Sequence, residues 1–400
     1  MKKAIALAVI GLAAGFQALA APAKNIGDIT VQVDNRMLSV RVSANTPELN
    51  ALAQAAFRSH GRYNVTSNTN AQYEIKFTAA GGNQVKVDVL RGGSTTPVHS
   101  QVVSGTSPRN ALLKAADVAV EKTNGLGLKG FFASKLTFIN ESTGKREVYV
   151  GDLFFGEVKR ITTDKASALS PRWSPDGGKI IYTSFYKSGF PDVFVIETGS
   201  YSRSTFASFK GTNSGARFSP NGAQVAMVLS GEGNPELYVT SASGGKPRRL
   251  TNTKDSVEAS PCFSPDSSRI VYTSDVAGGP QLYVIPTAGG APTRLGTGLS
   301  SYCAEPDWSR AKPNMIAFTA RTGGYQIAVY DINTGKGTSV SKAPYDAVEP
   351  SWLADGRHLV YTARDKATSV LCILDTETGK STKISGPLAG QTCQASVLAP

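Results

Sequence analysis

Through the last two-thirds of the chain, one apolar triplet returns at nearly constant spacing: Val148-Tyr149-Val150, Val193-Phe194-Val195, Leu237-Tyr238-Val239, Leu282-Tyr283-Val284, Ile327-Ala328-Val329 and Leu371-Cys372-Ile373. Their first residues lie 45, 44, 45, 45 and 44 positions apart. The triplets are short, mostly β-branched or aromatic, and separated by Gly, Pro, Asn and Asp, which reads as strands rather than helices. A period in the forties built of short strands makes each unit one small sheet, and radial stacking of such sheets buries both faces. The pattern predicts six blades.

Each repeat divides into four strands. The first is short and ends in an aromatic residue and a turn, as in Pro171-Arg172-Trp173-Ser174-Pro175-Asp176-Gly177, with counterparts ending at Phe218, Phe263, Trp308 and Trp352. Proline fixes φ, Asp or Asn bonds the local backbone and glycine accepts φ > 0, so the tetrad turns the chain tightly. A second strand begins near Ile180, Val225, Ile270, Met315 and Leu359, the triplet is the third, and Arg160-Ile161-Thr162 or Arg249-Leu250-Thr251 marks the fourth. One aromatic per blade at a fixed phase predicts packing between neighbouring sheets, not a sugar-stacking ring. The first repeat lacks its opening strand, and counting 45 on from Trp352 reaches Val397. The C-terminal tail is therefore expected to supply the inner strand of blade one and close the ring, which removes exposed sheet edges.

Residues 21–127 do not share the period. Ile29–Val33 and Leu38–Val42 alternate as strands, Pro47–His60 places Leu49, Leu52, Ala53, Ala56 and Phe57 on one helical face, and Tyr73–Phe77 with Val85–Leu90 form a hairpin. A further strand spans Val98–Ser104, and Ser107-Pro108 opens a second helix with Leu112, Leu113, Ala116 and Val120 as its buried stripe. The expected organisation is a signal peptide over 1–20, an α/β domain over 21–127 and the propeller over 128–400, a mainly β protein with a smaller α/β domain. Lys2 and Lys3, a short apolar run and Ala18-Leu19-Ala20 suit an export leader, so the mature chain is expected to be exported and soluble.

The formal charge of +12 is spread along the chain without a nucleic-acid stripe. Cys262, Cys303, Cys372 and Cys393 have no CxxC spacing, and export would allow them three disulfide pairings that remain open. No GxSxG or HExxH is present, and His60, His99 and His358 lie in different elements, so hydrolase and zincin chemistry find no support. Carboxylates do gather where the chain enters the inner strands: Asp255 and Glu258 before Phe263, Glu305 before Trp308, Asp346 and Glu349 before Trp352. Solvated loop acids are the plain reading. The sharper one is a tunnel mouth that binds a basic segment or a hard cation such as Ca2+, with Glu258, Glu305 and Glu349 as ligands and no other cofactor.

Arg58-Ser59-His60-Gly61-Arg62-Tyr63-Asn64, the linker Gly127-Leu128-Lys129-Gly130-Phe131-Phe132 and the blade wording Thr273-Ser274-Asp275 with Gly279-Pro280-Gln281-Leu282-Tyr283 together resemble the TolB family, periplasmic propeller proteins of the Tol-Pal system. Ser309-Arg310-Ala311-Lys312 departs from the usual blade turn, and Val397 stands where the family's tail usually has Trp. The resemblance implies a binding protein rather than an enzyme, with the peptidoglycan-associated lipoprotein Pal as partner and a role in outer-membrane integrity and invagination during division. It also implies a surface made of Thr212, Asn213, Ser214, Gly215, Glu258, Ala259, Ser260, Cys303, Ala304 and Glu305. TolA is the second partner it suggests, although Ala21-Pro22-Ala23-Lys24-Asn25-Ile26 matches no TolA-contact motif. Association with the outer membrane would run through partners only. The alternative is an exported propeller hydrolase or carbohydrate-binding protein working through the same carboxylates.

Overall fold

The computed structural model describes residues 37–386, 388 and 390–400. The leader, the strand expected over Ile29–Val33 and the segment Ala21–Ile26 lie outside the described residues. The α/β module runs β1 (Leu38–Ala44), α1 (Pro47–Ser59), β2 (Tyr63–Val65), β3 (Tyr73–Ala79), β4 (Gln84–Arg91), β5 (His99–Ser104) and α2 (Pro108–Thr123). Its sheet has the order β2-β1-β3-β4-β5, parallel around β1 and antiparallel from β3 onward. Both helices start as the sequence implies: Thr46 and Ser107 accept from the amides of Leu49 and Asn110 at 3.3 and 3.1 Å, and proline follows each cap. β2 went unforeseen because three residues are too few to carry an alternation. Tyr63 anchors it, packing edge-on against Phe57 at 5.2 Å with its hydroxyl 2.7 Å from that of Thr123.

Six four-stranded antiparallel sheets follow. Five inner strands are Ala168–Trp173, Asn213–Phe218, Glu258–Phe263, Cys303–Trp308 and Asp346–Trp352. The sixth is the tail, Thr392–Leu398, paired with Lys135–Asn140 so that Val397 faces Leu136. The ring thus closes by first and last strands sharing one blade. Trp173, Phe218, Phe263, Trp308 and Trp352 are all buried between blades, and the indole of Trp352 donates to the Asp307 carbonyl of the preceding blade at 2.9 Å. The turns after Trp173, Phe218 and Phe263 are each tied by a serine: Ser174, Ser219 and Ser264 accept from the amides of Lys179, Gln224 and Arg269 at 2.8, 2.9 and 2.9 Å. The four cysteines are separate buried thiols on different strands. Among the described residues no helix is long and apolar enough to cross a membrane.

The module packs on the face where the inner strands end, called proximal here; the face where they begin is distal. The Gly61 amide donates to His358 Nε2 at 3.0 Å and Lys380 Nζ to the Arg58 carbonyl at 2.7 Å. Gly61 fits so closely that a Cβ there would lie 1.6 Å from an Asp375 carboxylate oxygen. The glycine-rich linker is pinned rather than loose. Asn124 Oδ1 accepts from the amides of Leu126 and Leu128, and Asp117 accepts from Phe132 and Ala133 at 2.6 and 3.0 Å. Burial pushes the Asp117 carboxyl up to about 7 despite those bonds.

Candidate partner-binding channel

Every inner strand carries a bulge at the same phase, and one residue at each bulge sits in the left-handed region: Ser170 (φ 50), Gly215 (62), Ser260 (51), Glu305 (57), Glu349 (58) and Gln394 (55). These six residues line the narrow waist of the channel, a space of about 70 Å³. Left-handed backbone costs a non-glycine residue about 1 kcal/mol or more, so the ring needs compensation. It comes from side chains that reach the next blade. Glu305 Oε2 accepts from the Glu349 amide at 3.0 Å, Glu349 Oε2 from the Gln394 amide at 3.0 Å, and Gln394 Oε1 from the Ser170 amide at 2.9 Å. Thr319 and Thr362 hydroxyls donate to the same two carboxylates at 2.7 Å each. Burial, then the neighbouring Glu349 charge, raises the pKa of Glu305.

Glu305 and Glu349 therefore share the channel, but the third expected ligand does not join them. Glu258 is buried elsewhere, its carboxylate 2.9 Å from Ser274 Oγ and 3.0 Å from Thr253 Oγ1. Burial first, with the Glu236 charge adding, pushes it up to about 7. The three-carboxylate site does not assemble, because Glu258 stands two residues before its bulge whereas Glu305 and Glu349 occupy theirs. Of the other acids, Asp255 is exposed on its loop and Asp346 lies 3.8 Å from Arg364.

Among the residues expected to contact a partner, Asn213, Glu258, Cys303 and Ala304 are buried. Asn213 is structural: its amide bonds the carbonyls of Phe209 and Gly211 at 2.8 and 3.2 Å. Thr212, Ser214, Gly215, Ala259, Ser260 and Glu305 keep partial access. The sequence reading missed five exposed apolar side chains, Tyr186, Phe190, Phe209, Val257 and Val276. All five sit at the distal ends of blades two to four, in loops or at the first residue before a strand. The visible signal was aromatic residues inside polar turns, as in Ser188-Gly189-Phe190-Pro191. It also missed a second tier toward the module, two residues past each bulge: Arg172, Arg217, Cys262, Asp307, Ser351 and Ser396. The channel is polarised, with carboxylates at its waist and guanidinium groups at its proximal end.

His60, Asp355 and His358 form the one His/Asp group within metal-binding distance among the described residues. Most of their atoms are already engaged, and within the group only His60 Nε2 is buried without a hydrogen-bond partner. The Gly61 amide donates to His358 Nε2, so the ring proton is on Nδ1, which bonds Asp355 at 2.6 Å; His60 Nδ1 accepts from the Arg62 amide at 3.2 Å. This group is a joint between module and propeller.

A family profile described as "TolB beta propeller domain" matches residues 123–396. A curated relative named "Tol-Pal system protein TolB" from Desulfosudis oleivorans is 35% identical over 127 residues, 32% of this chain and 28% of that protein. Another of the same name from Bordetella avium is 32% identical over 192 residues, 47% of this chain and 41% of that protein. The matched stretches thus span less than half the length of these relatives. The crystal structure of TolB from Acinetobacter baumannii superposes with a TM-score of 0.78 at 22% identity, covering 91% of this chain and 97% of that one. The fold is the same, the leading α/β module included.

Proposed function

Because the chain belongs to the TolB beta-propeller family, we propose that it is a periplasmic component of a Tol-Pal system that receives a protein partner on the distal face of its propeller. The partner in this reading is the peptidoglycan-associated lipoprotein Pal, and the pair ties the outer membrane to the cell wall during division. The chain reaches that membrane through Pal. The α/β module, firmly seated on the opposite face, is left free to meet TolA.

One observation carries the reading. Tyr186, Phe190, Phe209, Val257 and Val276 are all exposed in the distal loops of three consecutive blades, two to four, and apolar side chains concentrated on one face mark a surface that meets a partner. An apolar rim beside a preformed opening suits a protein segment that inserts its tip. Catalysis is disfavoured because Glu305 and Glu349 are held as struts between blades and His60 and His358 belong to the module joint. Calorimetric titration of the full chain with the soluble domain of Pal tests the proposal. Phe190→Ala and Phe209→Ala together should weaken binding by about tenfold or more without lowering the melting temperature. No binding, or binding indifferent to both substitutions, would refute it.

A further inference from the structure

Seven charged side chains line the cavity of about 730 Å³ where the channel opens against the module linker: Lys129, Arg172, Arg217, Asp307, Arg310, Lys312 and Asp355. Five of these have opposite charges at hand. Arg217 contacts Asp307, Asp355 holds His358, Lys312 Nζ lies 3.9 Å from Glu377 and Lys129 Nζ 3.8 Å from Glu121. Arg172 and Arg310 are left over. Arg172 reaches only the carbonyls of Pro171 and Ala395, at 3.4 and 3.3 Å, and Arg310 makes no hydrogen bond or ion pair with any described residue. Asp307 has little to spare for them, since it also accepts from the Trp352 amide at 2.7 Å and lies 3.9 Å from the Cys262 thiol. Crowding by protein atoms, and then the Arg217 charge, lowers the pKa of both leftover arginines. Asp307, joined for Arg172 by Glu349, offsets part of this from a distance, and an anion that enters the site relieves the remaining cost.

We propose that the proximal end of the channel is an oxyanion site, in which Arg172 and Arg310 hold a carboxylate or phosphate group of a small ligand. The planar guanidinium fork matches both groups with paired hydrogen bonds, which a lysine would not do. Arg310 stays exposed at the rim, so an anion can arrive from solvent, and Arg172 sits deeper on the channel wall. Ser309-Arg310-Ala311-Lys312, the one turn that abandons the blade motif, delivers Arg310 to this place. The site lies at the end opposite the apolar rim, so it stands or falls separately from partner binding.

Thermal melts of the full chain in sodium phosphate and in sodium citrate, each against sodium chloride at equal ionic strength, test the site. A saturable rise in phosphate, in citrate or in both is expected, and which salt gives it distinguishes the phosphate from the carboxylate ligand. Arg310→Ala should raise the half-saturating concentration about tenfold, the weight of one charge-assisted hydrogen bond, while Lys187→Ala on the distal face leaves it unchanged. Without anion, Arg310→Ala should melt no lower than the parent, since it loses no bond and relieves repulsion from Arg217. A rise equal to that in chloride, or one equally strong in Arg310→Ala, overturns the proposal.

Discussion

Glu258 gives the propeller a titration near neutral pH. Its carboxyl is pushed up to about 7 by burial and by Glu236, while Glu236 is itself held low because, against the cost of its burial, it bonds Thr251 and Arg249 and accepts from the Thr253 amide at 2.6 Å. The folded state therefore keeps a proton on Glu258 that the unfolded chain releases near the ordinary glutamate value of about 4.3. The sign follows: this contribution is fully present below about 4.3 and is lost as pH rises toward 7. Glu258→Gln should keep the hydrogen bonds without the charge, stabilising the protein at pH 8 by roughly 1–3 kcal/mol and leaving pH 4 almost unaffected, as urea melts at the two pH values would show. An equal effect at both would contradict a proton held on Glu258 in the folded state. The spacing that separates Glu258 from the channel was already present in the chain: it stands five residues before its aromatic, Phe263, while Glu305 and Glu349 stand three before Trp308 and Trp352. Reading all of them as preceding the aromatic merged two positions that a bulge sends in different directions.

The joint between module and propeller is the element most exposed to acid. His60 is fully buried, stacks on Phe131 at 5.2 Å between ring centres and meets the His358 ring at 4.3 Å. Burial, then His358, Arg357 and Lys380, drive its pKa well below 6.5, with Asp355 pulling the other way. The joint is therefore intact above about 6.5 and weakens as pH falls below it, opposite in sign to Glu258. Limited proteolysis of the linker at 125–130 should accelerate at pH 5, and His60→Phe should remove that acceleration by filling the pocket without a titrating ring. Gly61→Ala should loosen the joint at every pH, by about 2 kcal/mol or more, because its Cβ has no room beside Asp375. Helix positions in the module were legible through the apolar stripe of 47–60 and through Ser107-Pro108. The joint was not. Gly125–Gly130 reads as a hinge until the side chains of Asn124 and Asp117, which lie before and outside it, are seen to bond its amides and those that follow.

At the scale of the whole molecule, the strand period was legible because blade geometry repeats in sequence, and the tail's place followed from counting one period beyond Trp352. The channel's polarity was not legible, since it depends on which of six equivalent positions faces which neighbour around a closed ring. Closure has a measurable consequence. The strand Thr392–Leu398 supplies the Gln394 amide to the Glu349 carboxylate, the Gln394 side chain to the Ser170 amide, and buried Cys393 and Ala395 to the first blade. Removing residues 391–400 should strip the pairing edge of Lys135–Asn140 and cut the ring of struts at two points. The melting temperature should fall by roughly 10 °C or more, with aggregation from the bared strand. Gln394→Ala, which leaves the strand and breaks only the strut to Ser170, should cost about 1 kcal/mol. A truncated chain that melts with the parent would show that the blades hold together without the lock, and a Gln394→Ala loss as large as the truncation would place the stability in the struts rather than in the strand.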